Sequence, residues 1–326
     1  MREIRAGADR SNGGSLGVIV DTALPFFALI LCGYLAVRWR FLDAAAARGL
    51  NAFVFWMALP ALLLVRVAAS SLPELLDWRI LTAFYGVNAV LYVSTYALGR
   101  FAWRDPAGTS AVRALGVIWG NYGYLGLPLL TAALGPQAAL PTVAVITVDI
   151  LLPASLTVAL LEGERSGTTE RLAALRRALG GVARNPLVVA VTIGALLSTA
   201  SVPLPTAAVN FLNVLGGAAG PCALVALGAS LALSPSGGAR LDVSLLTVLK
   251  LLVNPLLVWL AAGLLLADDP GRRAAITLLA AMPTAASVFV IAQRYETWVL
   301  RASTSVLVTH LGSVVTLGAL LYLFSH

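Results

Sequence analysis

Charge is scarce in this chain of 326 residues: Asp, Glu, Lys and Arg make up 11% of it, against about 25% in an ordinary soluble domain. With 59% hydrophobic residues beside it, that scarcity excludes a soluble enzyme. Lysine is nearly missing, since Lys250 stands alone against 21 arginines, and histidine is limited to His310 and His326. The two cysteines, Cys32 and Cys222, both lie in apolar runs and read as small buried hydrophobes rather than disulfide or metal partners. There is no paired-carboxylate motif, no Cys/His metal spacing, no Gly-x-Ser-x-Gly elbow and no phosphate-binding Gly-x-x-x-x-Gly-Lys-[Ser/Thr] loop. A primary ATP-driven pump is therefore disfavoured, and a membrane-embedded enzyme would have only Asp149, Lys250 and His310 as reagents.

What is present is apolar sequence in span-length pieces. A bilayer-crossing helix needs about 20 mostly apolar residues, and ten such runs can be marked: Val18–Val37, Phe53–Ala69, Leu81–Leu98, Ala114–Leu134, Val143–Leu161, Leu187–Val202, Phe211–Leu233, Leu245–Ala267, Ala274–Ala292 and Ala302–Phe324. The expectation is an all-α polytopic membrane protein. The polar start over 1–17 lacks a convincing cleavage site, so the first span is expected to stay. The longest polar connection, 162–185, carries five arginines and divides the chain into repeats at 18–161 and 186–326. Counted on alternate sides, 15 Lys and Arg fall on the side of that linker and seven on the other. The positive-inside rule then puts the linker in the cytoplasm and both termini outside. The net charge of +7 is thereby assigned to orientation and anionic headgroups, not to nucleic acid. Trp39, Trp78, Trp103, Trp298, Tyr34 and Tyr295 fall near span ends and read as interface anchors.

The halves resemble each other. Pro25, Gly33 and Pro60 recur as Pro186, Gly194 and Pro221 at a constant offset of 161, and Val87-Asn88 recurs as Val253-Asn254 at an offset of 166. Five spans per repeat is an odd number, so the second repeat must enter from the opposite face, giving the inverted topology of secondary transporters.

Two spans look interrupted. The fourth holds Gly116, Gly120, Asn121, Gly123, Gly126 and Pro128, too many weak helix formers for an unbroken helix; close packing through small residues is the competing explanation. The ninth holds Met282-Pro283-Thr284-Ala285-Ala286-Ser287, where a proline kink would also suffice. Broken segments at equivalent places of two inverted repeats point to a midplane site, where half-helix N-termini offer N–H groups and a positive dipole end to an anion. Asp149, midway along the fifth span, needs a cation, a proton or a basic neighbour, or else is a structural protonated acid. Lys250 shares a helix face with Asn254 and could pair with Asp149 or snorkel. His310 sits near the centre of the last span, as a proton relay or as a hydrogen-bonded structural residue.

Asn121 through Leu129, Leu59-Pro60, Lys250 through Pro255 and Ala281-Met282-Pro283 through Tyr295 resemble the auxin efflux carrier family in its bacterial branch, with malonate- and malate-type permeases as relatives. The resemblance implies ten helices in two inverted five-helix repeats, with broken helices 4 and 9 crossed, similar to bile-acid/sodium symporters and sodium/proton antiporters. It implies a scaffold of spans 1, 2, 6 and 7, commonly dimeric, and a transport domain of spans 3–5 and 8–10, in the bacterial inner membrane. Asn121 matches a substrate-contacting Asn of the plant carriers, whereas Asp149 stands where those carriers have an uncharged amide. The resulting expectation is a carrier of small mono- or dicarboxylates. Substrate would meet Asn121, Gly126, Pro128, Pro283, Thr284 and Ser287, with Asp149, Lys250, Asn254 and His310 serving ion coupling. No cofactor is expected beyond Na⁺ or H⁺ as the coupling ion, with Na⁺ near Asp149 one option. An uncoupled uniporter or channel of the same fold is the alternative.

Overall fold

The computed structural model describes residues 15–69, 77–135, 138–166, 185–233 and 241–324. Most of the tail expected over 1–17, and 167–184 of the linker expected over 162–185, lie outside the described residues. Among the described residues there are twelve helices: α1 (Ser15–Arg38), α2 (Ala44–Ala68), α3 (Trp78–Ala102), α4 (Ala107–Ile118), α5 (Tyr122–Leu134), α6 (Ala139–Glu164), α7 (Pro186–Thr199), α8 (Thr206–Leu233), α9 (Leu241–Leu265), α10 (Pro270–Ala280), α11 (Ala286–Arg294) and α12 (Val299–Phe324). Among the described residues there is no strand, and α2, α3, α6, α8, α9 and α12 are each long and apolar enough to cross a membrane.

Several helices begin earlier than hydropathy suggests, because their first turns are polar and capped. Asp43 accepts the Ala46 N–H at 2.7 Å ahead of α2, Asp77 the Arg79 N–H at 2.9 Å ahead of α3, and Asp269 the Arg272 N–H at 2.9 Å ahead of α10. Each cap satisfies an amide that the helix itself leaves without a partner. Within the helices, wide i→i+5 turns occupy Val54–Ala58, Leu98–Ala102, Tyr122–Gly126, Ile150–Ala154 and Leu249–Val253. Pro60, Pro128 and Pro255 follow three of these within two residues, and Pro153 lies inside a fourth. A proline ring clashes with the carbonyl four residues back and supplies no N–H, and a wider turn accommodates both faults.

Polarity is distributed inside out. Phe211, Val214 and Leu264 are 65%, 80% and 86% exposed, while Asn88, Arg113, Asn121, Asp149, Lys250, Asn254 and His310 are all buried. An apolar exterior around a polar interior suits a hydrocarbon surrounding. α1 packs along α8 and α2 along α7, whereas α3 packs on α4 and α9, and α9 on α10.

Two expectations need correcting. Cys32 is exposed and Cys222 only half-buried, because both lie on outward-turned helix faces. Arg113 belongs inside α4, since that helix begins at Ala107. Its Nη2 is 2.6 Å from Asp105 Oδ2 and 3.7 Å from Asp242 Oδ2, and its guanidinium stacks on Trp103 at 4.3 Å. Trp298 Nε1 also donates to Asp242 at 3.1 Å, and the Tyr295 hydroxyl to Glu162 at 2.7 Å.

Candidate functional site

The site is made by two breaks in helix. α4 ends at Ile118 and α5 starts at Tyr122; α10 ends at Ala280 and α11 starts at Ala286. The intervening residues run antiparallel past each other, pairing Gly120 with Thr284. The Asn121 N–H donates to the Pro283 carbonyl at 2.8 Å, and the Ala285 N–H to the Trp119 carbonyl at 2.9 Å. Each break therefore satisfies backbone groups that the other exposes, which is what makes non-helical chain tolerable at this depth. Gly120 is suited to the crossing, because a Cβ there would strike the Tyr122 ring.

The crossing brings like helix ends together. The carbonyl ends of α4 and α10 meet at Lys250, whose Nζ donates to Ala280 O at 3.2 Å and Ile118 O at 3.4 Å and lies 5.6 Å from the centre of the Tyr122 ring. Lys250 is 0% exposed, so it does not snorkel, and no ion pair joins it to Asp149 among the described residues. Two half-helices present their negative ends to one buried ammonium. The amide ends of α5 and α11 converge instead on a cavity of about 510 Å³, lined by Asn121, Tyr122, Gly123, Ala286 and Ser287 near the crossing and reaching Glu162, Asn185 and Arg294 at its far end.

Side chains lock this arrangement. Thr284 donates its hydroxyl to Gly116 O at 2.8 Å, and its N–H goes to Thr309 Oγ1 at 3.1 Å. His310 Nδ1 lies 2.7 Å from Val306 O, which assigns the proton to Nδ1 and leaves Nε2 to accept from Asn121 Nδ2 at 3.2 Å. His310 thereby aims the Asn121 amide, whose second N–H is left for the cavity. Asn254 Nδ2 donates to Asn88 Oδ1 at 3.1 Å and to Val117 O at 3.4 Å.

Of the residues singled out from sequence, Asn121 and Ser287 line the cavity. Pro283 and Thr284 form the crossing strand, and Gly126 and Pro128 lie on α5 behind it. Lys250, Asn254 and His310 stand one layer back. Asp149 lies behind the cavity wall, one turn beyond Ile146, its Oδ1 2.8 Å from the Tyr85 hydroxyl. Sequence reasoning passes over Tyr85, Trp119 and Arg294. Arg294 had a usable signal, since Ser287, Val290, Ile291 and Arg294 repeat at helical spacing and all four line the cavity.

Residues 18–321 match the family described as membrane transport protein. The chain is 32% identical over 94% of its length to a Rhizobium meliloti protein named "Putative malonate transporter", covering 95% of that protein. It is 26% identical over 92% of its length to the Escherichia coli K12 "Uncharacterized transporter YfdV", covering 96% of it.

Proposed function

Because this chain belongs to the membrane transport protein family, the auxin efflux carriers and their bacterial relatives, and is a multi-pass membrane transporter rather than an enzyme, we propose that it moves small organic anions by alternating access, as a secondary transporter. The observation that carries the proposal is the cavity ending on the amide termini of α5 and α11. Those helix ends, with the Asn121 amide and the Ser287 hydroxyl, form a donor-rich floor suited to a carboxylate.

On this reading α4 with α5, and α10 with α11, each make one broken span, giving ten spans in two inverted repeats at 18–161 and 186–326. Support comes from the antiparallel crossing and from ion pairs at both ends of the bundle. Asp77, ahead of α3, holds Arg272 of α10 at 2.6 Å, while Asp242, at the start of α9, holds Arg113 of α4 at 3.7 Å. α1, α2, α7 and α8 would be the scaffold and carry a homodimer contact, with the remaining helices shifting against them. The charge count orients the cavity mouth, at Glu162, Asn185 and Arg294, toward the cytoplasm of a bacterial inner membrane.

The lining supports a dicarboxylate as substrate. Among the described residues Arg294 is the lining's one cationic side chain, two helical turns from Ser287 on the same face of α11, while the one acid, Glu162, accepts from Tyr295. A short dicarboxylate would place one carboxylate on the donor floor and the other toward Arg294, in keeping with the malonate name of the Rhizobium relative. Lys250 would hold the two carbonyl helix ends together through the cycle, and Asp149 would carry the coupling ion.

The test is current from purified protein in liposomes on a solid-supported membrane, pulsed with malonate, malate, succinate and an indole carboxylate under Na⁺ and pH gradients. A saturable current for dicarboxylates that follows a cation gradient is expected. A current indifferent to both gradients would mean a uniporter or channel, and no current from folded protein would contradict the carboxylate reading.

A further inference from the structure

The Tyr85 hydroxyl makes two short oxygen contacts, 2.7 Å to the Val145 carbonyl and 2.8 Å to Asp149 Oδ1. Each distance is that of a full hydrogen bond with its own proton. Tyr85 has one proton and the Val145 carbonyl none, so the second is assigned to Asp149. Were Asp149 a carboxylate, the single Tyr85 proton would be divided between two acceptors, too little for two contacts this short. Both contacts are satisfied if Asp149 Oδ1–H donates to Tyr85 and Tyr85 O–H donates to Val145.

We propose that Asp149 is the proton site of this transporter, protonated in the conformation described here, with Tyr85 as the positioning residue that registers its state. Three further observations agree. Asp149 Oδ2 is buried and has no hydrogen-bond partner, a tolerable fate for the carbonyl oxygen of a neutral acid and a severe one for a carboxylate. Among the described residues, the titratable groups that face it are Tyr85 on α3, Tyr122 on α5 and Lys250 on α9. Of these Lys250 alone is a cation, and its ammonium is engaged by Ile118 and Ala280. Finally, no group of three or more His, Cys, Asp or Glu is found among the described residues, and one carboxyl beside one phenol is far from the six or so oxygens that a hard cation gathers. A proton needs no such cage.

Release breaks the Asp149 Oδ1–H bond and passes the proton to water reaching the cavity wall at Ile146 and Tyr122. The Tyr85 proton then turns from Val145 to the new carboxylate. The Val145 carbonyl loses that contact, and a buried charge appears one turn from the substrate cavity. That the proton is a coupling ion rests on the transporter reading; that Asp149 holds it does not.

Infrared spectra of the purified protein near neutral pH test the assignment directly. Wild type is expected to show the carbonyl stretch of a protonated carboxylic acid that is missing from Asp149→Asn and moves to higher frequency in Tyr85→Phe. Absence of that band, or its survival in Asp149→Asn, would overturn the assignment. Coupling is read in liposomes holding a pH dye: malonate pulses are expected to change internal pH in wild type, equally in sodium and potassium, and not in Asp149→Asn. Malonate movement in wild type without a pH change would overturn coupling. No malonate movement at all would overturn the substrate reading, and the infrared band would still decide the protonation.

Discussion

Asn254 donates its side-chain amide to the side-chain carbonyl of Asn88 at 3.1 Å, and the two residues stand 166 apart, at the offset separating the repeated Val-Asn pairs. Both residues are buried, so the contact ties the first half of the chain to the second inside the bundle. Asn88 is held in turn, its Nδ2 donating to Phe84 O at 2.9 Å.

Asn88→Ala and Asn254→Ala are each expected to lower the stability of the detergent-purified protein by roughly 1 kcal/mol, the scale of interhelical hydrogen bonds in membranes. The double variant should lose clearly less than the sum. Thermal melts of the three variants check this, and strict additivity would mean that the contact contributes nothing.

Lys250→Met removes the ammonium between two helix ends and leaves the Ile118 and Ala280 carbonyls facing one another. A loss of about 2 kcal/mol or more is expected from charge-assisted bonds of this kind, with transport abolished. Lys250→Arg should not rescue transport, because a planar fork does not fit a site shaped for a compact ammonium. Melting temperature and substrate flux measured on the same preparations report both effects.

Arg294→Gln is expected to raise KM for a dicarboxylate about tenfold, near 1.4 kcal/mol, while changing KM for a monocarboxylate much less. Flux kinetics with malonate and a monocarboxylate in parallel give the comparison. Equal effects on both substrates would remove Arg294 from the recognition of the second carboxylate.

α1 and α8 approach closely enough that a Cβ on Gly33 would overlap the Val225 carbonyl, and one on Gly228 the Ile30 carbonyl. Gly228→Val is therefore expected to destabilise by about 1–3 kcal/mol. Gly86→Ala, where a Cβ meets open space on α3, should be neutral or gain up to about 1 kcal/mol. Melts of the two variants separate the close approach from general helix effects.

Asp77 lies outside the spans. Burial raises its carboxyl, but the Arg79 N–H and the Arg79 and Arg272 guanidiniums outweigh that and hold it below the ordinary carboxylate value. A depressed carboxylate stabilises the fold above its unfolded pKa, and the contribution disappears as pH falls through the folded pKa. Melting temperature should thus drop as pH falls below about 4, and Asp77→Asn should flatten that limb. The arginine partners are partly exposed, so the effect should stay under about 1 kcal/mol.

The broken segments were legible because Gly and Pro carry their backbone preferences wherever they stand. Gly116 through Pro128 announced an interruption, although the break itself is confined to Trp119–Asn121, where the crossing chain supplies partners. Arg113 was not legible as an interior residue, since hydropathy ends a span at the first charge and cannot see Asp105 and Asp242 waiting to receive it. Tyr85 gave no signal at all: a tyrosine in an apolar helix looks the same whether it faces lipid or a buried acid. The relation of Lys250 to Asp149 depends on distances between helices, which spacing along one chain does not encode.

Counterflow reads carboxylate transport by itself, because it needs neither an ion gradient nor a choice of coupling ion. Liposomes carrying the purified protein are loaded with unlabelled malonate and diluted into a trace of labelled malonate. Transient accumulation of label is expected, one that saturates, that excess external malate or succinate suppresses, and that Asn121→Ala and Arg294→Gln weaken. Label that never rises above protein-free liposomes, from protein shown to be folded, would contradict it.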